Sequence, residues 1–125
     1  MFVVPVEIRE ANHEAIKRKK MGIIAIACYK PNKGKKDILK KIIKNHSKIL
    51  LKENLLTKKP PIILDTKNGI IIEIFEWKSD ISKAKAHKNI KILKHWDKIE
   101  KNSKSVRLSE IQEAKDIYAN FQPIN

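Results

Sequence analysis

Apolar residues from Gly22 to Tyr29 fall on both alternating faces, Ile24 and Ile26 on one and Ile23, Ala25 and Ala27 on the other. That pattern predicts a strand covered on both sides. Lys30 to Gly34, with Pro31 and Gly34, is turn chemistry that stops it. From about Lys35 to Glu53 the apolar positions Ile38, Leu39, Ile42, Ile43, Ile49 and Leu50 recur at helical steps, while Lys40, Lys41, Lys44 and Lys48 point elsewhere. His46 lies on that apolar stripe and reads as a core histidine rather than a ligand. Asn54 is a fitting left-handed terminator for the helix.

Ile62 to Asp65 reads as a second strand, and Lys67, Asn68 and Gly69 as a tight hairpin, since Asn-Gly supplies the positive φ angles of a two-residue turn. The third strand, Ile70 to Trp77, places Ile70, Ile72, Ile74 and Glu76 on one face and Ile71, Glu73, Phe75 and Trp77 on the other. Ser79 can cap a short helix carrying Ala84, Ala86 and His87, and Asn89 a second one carrying Ile92, Leu93, Trp96 and Ile99. Ser105 to Leu108 follows as a fourth strand, Glu110 to Lys115 as a polar helical turn, and Tyr118 to Ile124 as a short edge strand or an arm.

Residues 1–20 are patterned differently, with an edge-strand candidate from Phe2 to Ile8, interrupted by Pro5, and helical turns from Ala11 to Lys20. They are expected to be an N-terminal extension on a single domain of residues 21–125, either a loose leader before a start at Met21 or an arm packed on a partner. The order of elements predicts an α+β fold, a ferredoxin-like sandwich of strand-helix-strand-strand-helix-strand with an antiparallel sheet. Because the strands carry apolar residues on both faces, the face away from the helices needs a cover. A homodimer closing a dimeric α+β barrel is the expected one.

Composition modifies this only slightly. The chain has 125 residues, 28 lysines and arginines against 14 acidic residues, and a net charge of +14. Such charge attracts polyanions. Yet arginine occurs only at Arg9, Arg18 and Arg107, and the lysines are scattered among many Ile and Asn residues, a compositional bias rather than a binding stripe. Cys28 is the single cysteine, which excludes an internal disulfide and fits a reducing cytoplasm. No apolar run is long enough to cross a membrane. Lys17 to Lys20 before Gly22 to Cys28 has the outline of a lipoprotein signal, but its apolar part is short and an acidic stretch precedes it.

Phe75-Glu76-Trp77-Lys78-Ser79, then Ala84, Ala86, His87, Lys88 and Asn89, then Leu93 to Trp96, resemble a pattern of the antibiotic-biosynthesis-monooxygenase-like proteins. The resemblance extends over about Met21 to Ile124 and includes the Ala119-Asn120-Phe121-Gln122-Pro123 tail. It implies sheet-to-sheet dimers with a pocket between sheet and helices in each subunit, and a group that includes cofactor-independent oxygenases of aromatic compounds, quinol oxygenases and haem-degrading enzymes. The first strand lacks the Asn that haem-degrading relatives use there, which leaves only His95 in favour of haem.

A cofactor-free oxygenase needs an apolar chamber and a group that takes a phenolic proton. His87 and Glu76 are the catalytic candidates, with Tyr29, Glu73, Phe75, Trp77, His95 and Trp96 lining the pocket. No cofactor and no metal are expected, since Glu73 and Glu76 lie on opposite faces and no His or Cys pair has ligand spacing. A non-catalytic domain that binds a small apolar or aromatic ligand, or serves as a dimeric interaction module, is the first alternative. A single-stranded nucleic-acid module is the second. RNA-recognition domains share the strand-helix order, but Glu73 shares a face with Phe75 and Trp77, and the Lys/Arg-Gly-aromatic motif is absent.

Overall fold

The computed structural model describes residues 22–125, so the strand and helical turns expected within residues 1–20 lie outside the described residues. The elements are β1 (Ile23–Pro31), α1 (Lys36–Lys52), β2 (Ile62–Asp65), β3 (Ile71–Trp77), α2 (Asp80–Ala86), α3 (Ile90–Asn102), β4 (Ser103–Val106), two short 3-10 turns (Leu108–Glu110 and Gln112–Lys115) and β5 (Gln122–Pro123). The strands form one five-stranded sheet in the order β4-β1-β3-β2-β5, with every pairing antiparallel. This α+β arrangement is compatible with a ferredoxin-like sandwich.

Local chemistry explains the boundaries. At the end of α1, Asn54 takes φ 62°, its N–H bonds to the Leu51 carbonyl, and the Leu55 N–H reaches back to Leu50. This is a Schellman stop with Asn at the left-handed position. Ser79 Oγ accepts the Ser82 N–H at 3.1 Å, and Asn89 Oδ1 accepts those of Lys91 and Ile92, so both later helices start on side-chain caps. The hairpin differs from the expected two-residue turn. Thr66 N–H bonds to the Ile70 carbonyl, and of Lys67, Asn68 and Gly69 only Gly69 has a positive φ, 80°. A three-residue loop with glycine in the left-handed position relieves Asn68 of that conformation. β4 also begins two residues before the expected Ser105, because Ser103 Oγ donates to the Ile99 carbonyl at 2.7 Å and turns α3 straight into the strand.

The helices cover one face of the sheet. Tyr29, Ile63 and Ile71 meet Leu39, Ile43 and Ile99 there, and Phe75 and Trp77 meet Leu50, Leu56 and Ile92. Burying each large aliphatic of this layer contributes about 1.5–3 kcal/mol against the entropy of ordering it. The described residues cover only part of the second face. Ile111 and Phe121, from the chain after β4, pack over Cys28, Ile70 and Ile72. Beyond that cover, Ile24 is 60% exposed, Ile26 47% and Ile62 51%. Cross-strand pairing sets Ile26, Ile74 and Ile62 in one row over β1, β3 and β2.

Candidate functional site

The helix-side layer contains one polar cluster. Glu73 is fully buried at the middle of β3. The Tyr29 hydroxyl, from β1, donates to its Oε1 at 2.9 Å, and His46 Nδ1, from α1, lies 2.9 and 2.8 Å from its two oxygens. On the other side of the imidazole, Trp96 Nε1, from α3, is 2.7 Å from His46 Nε2. An indole N–H can only donate, so His46 Nε2 is the acceptor and the ring proton sits on Nδ1, aimed at Glu73. The result is a chain running Trp96 to His46 to Glu73, with Tyr29 closing the carboxylate's other side.

Its order follows from alternation and helical spacing. Tyr29 and Glu73 both point to the helix side of adjacent strands, and His46 follows Ile43 by three residues on the buried stripe of α1. Two polar groups on buried faces must find partners there or leave the core unstable.

Aromatic rings enclose the cluster. His95 stacks on His46 with centroids 5.6 Å apart and planes 3° from parallel, and its Nε2 donates to the Ile42 carbonyl at 2.8 Å. Burial above all holds the His95 pKa below the ordinary histidine value. Phe75 meets His46 edge-on at 5.7 Å, Trp77 meets Phe75 at 5.2 Å, and His87 meets Trp96 at 4.9 Å. Burial first, and then the Glu73 charge and hydrogen bond, push the Tyr29 phenol above its usual pKa. Tyr29 is therefore a donor to Glu73 and not a source of protons.

Seven of the eight candidates named from the sequence thus lie on the helix side of the sheet. Glu73, Phe75, His95 and Trp96 meet His46 directly, Tyr29 joins through Glu73 and Trp77 through Phe75, and His87 stands at the exposed rim against Trp96. Glu76 does not join them. It sits on the opposite face, where Lys59 Nζ lies 3.1 Å from its Oε2. That hydrogen bond, with one from Thr57, holds its carboxyl below the usual range. His46 is the residue the sequence reading left out of the site. The available signal was a titratable group on the apolar stripe of α1 facing a strand with Glu73 on its own buried side.

The cluster reaches the surface at a hollow of about 210 Å³ lined by Tyr29, Trp96, Ile99, Glu100 and Ser105. Over Phe75 and Trp77, Leu50, Leu55, Leu56, Ala86 and Ile92 pack into the layer. The same packing leaves those two aromatics unavailable for stacking bases. Among the described residues no group of three or more His, Cys, Asp or Glu side chains could hold a metal ion, and no helix is long and apolar enough to cross a membrane. Comparison with protein-family models, curated proteins and solved structures returns no significant match to this chain.

Proposed function

We propose that this protein is a dimeric member of the antibiotic-biosynthesis-monooxygenase-like group, acting without a cofactor on a small phenol or quinol, with the Glu73–His46 pair as the acceptor of the phenolic proton. The observation that carries this reading is the orientation of His46, whose Nδ1 faces the fully buried Glu73 and whose basic Nε2 faces outward to the Trp96 indole N–H. Trp96 occupies the position a phenol O–H would take. A ligand ring entering the hollow beside Tyr29 and displacing the indole presents its hydroxyl to Nε2. The O–H bond then breaks, the proton passes to Nε2, the electron pair stays on the oxygen, and Glu73 stabilises the imidazolium formed. The phenolate is the electron-rich species that reacts with dioxygen.

The second copy supplies the missing cover. Ile24, Ile26 and Ile62 form an exposed apolar patch that a matching sheet would bury, closing a dimeric α+β barrel. Oxygen uptake with hydroquinone as substrate tests the reading. Turnover in the native protein and its loss in Glu73→Gln support it; native protein that consumes no oxygen above the buffer rate with hydroquinone or a larger quinol refutes the catalytic part.

A non-catalytic small-ligand domain on the same dimeric scaffold is the second reading, favoured by the filled layer over Phe75 and Trp77. Saturable hydroquinone binding without oxygen uptake would select it.

A further inference from the structure

A groove of about 320 Å³ lies between α1 and the sheet edge formed by β2 and the tail after β5. Lys44, Lys48 and Leu51 come from α1, where steps of four and three residues set them on one stripe. Pro61, Ile63, Ile124 and Asn125 make the other wall, fastened where the Ile124 N–H bonds to the Ile63 carbonyl at 2.7 Å. Ile63 and Ile124 pack inward against the core around Leu39 and Ile43, so the floor is apolar. Leu51, by contrast, is 52% exposed, a large aliphatic left in water at the lip. No acidic side chain lines the groove, and neither lysine forms an ion pair with a described residue, Asn125 included. Of the nearby carboxylates, Asp37 sits in the first turn of α1, Asp65 is paired with Lys36 and Glu53 with Lys91.

We propose that this groove binds a straight-chain alkyl carboxylate, its tail against Leu51, Pro61, Ile63 and Ile124 and its headgroup between the ammonium groups of Lys44 and Lys48. Two observations select that occupant. Unopposed lysines one helical turn apart favour an anion. The apolar wall beside them favours a ligand that is also hydrophobic. A neutral hydrocarbon would use the wall and leave both ammonium groups idle. A phosphate-type dianion fits less well, because Lys44 and Lys48 lie inside α1, where the backbone N–H groups are spent on the helix. Neither an arginine fork nor a helix N-terminus adds donors there. The groove shares no lining residue with the hollow beside Tyr29, so it is a second site.

The test is a titration of the uniformly ¹⁵N-labelled full chain with decanoate below its micelle threshold, following the Leu51 and Ile124 backbone amides on the two walls. Both signals are expected to shift saturably. Octanoate, with two fewer methylenes to bury, should bind about threefold or more weakly. Decyltrimethylammonium, a tail of the same length on the opposite charge, should move neither signal. The double variant Lys44→Gln/Lys48→Gln should weaken decanoate binding about fivefold or more. Leu51→Asn, at a position already open to water, should weaken it as well and tests the tail contact separately. Absence of a saturable shift, an equal response to decyltrimethylammonium, or undiminished binding in either variant overturns the proposal. So do shifts spread over lysine-bearing surfaces away from the groove, the signature of an anion drawn by the net charge of +14 alone. None of these outcomes depends on the quinol site.

Discussion

Trp96 carries one indole N–H, and His46 is where it goes. Replacing Trp96 with Phe keeps an aromatic side chain, smaller by the pyrrole ring, and deletes the donor, leaving a buried imidazole nitrogen without a partner. Chemical denaturation should show a loss of about 1–3 kcal/mol, the cost of an unsatisfied buried acceptor. His95 gives a pH signature. It is packed against His46, with Lys98 and Glu73 nearby, and burial is the largest cause of its lowered pKa. The unfolded chain therefore takes up a proton at this position before the folded one does as pH falls. Stability should decline as pH drops through the ordinary histidine range near about 6.5, and His95→Asn should flatten that slope in denaturation curves.

Among the elements, the α1 terminus depends most on a single backbone conformation. Asn54 sits at φ 62°, which a residue with an ordinary side chain adopts at a cost. Asn54→Ala should lose about 1 kcal/mol in denaturation measurements, while Asn54→Gly should keep or raise stability. This stop and the caps at Ser79 and Asn89 were legible in the sequence, because each rests on contacts within a few residues. The hairpin was legible in place but not in type: Asn-Gly marks a turn, and whether the left-handed angle falls on both residues depends on how Thr66 and Ile70 pair across it. Longer-range contacts were harder to read. Alternation assigned Glu73 to the face of Phe75 and Trp77, yet which residue would satisfy it depended on the rotation of α1 against the sheet. His46, twenty-seven residues away, therefore went unassigned as its partner. Glu76 was placed correctly on the other face, but its Lys59 partner comes from the irregular stretch before β2, where no periodicity fixes direction.

For the whole molecule, the question is what lies over the part of the outer face that the described residues leave open. The sequence indicated apolar residues on both faces, and the chain after β4 turns out to cover one part of the outer face through Ile111 and Phe121. The exposed row containing Ile26 remains, and in the proposed dimer it is the contact. Ile26→Lys should leave the helix-side core intact and shift the protein from dimer to monomer in sedimentation at about micromolar concentration. An unchanged mass would place the interface elsewhere.

The protonation pattern of His46 tests the proposed proton acceptor most directly, and long-range ¹H–¹⁵N NMR of its ring reads it. The proton should be found on Nδ1, with Nε2 accepting the Trp96 indole N–H, and saturating hydroquinone should displace that indole and shift its N–H signal. A proton on Nε2, or a Trp96 indole signal unmoved by hydroquinone, would contradict it.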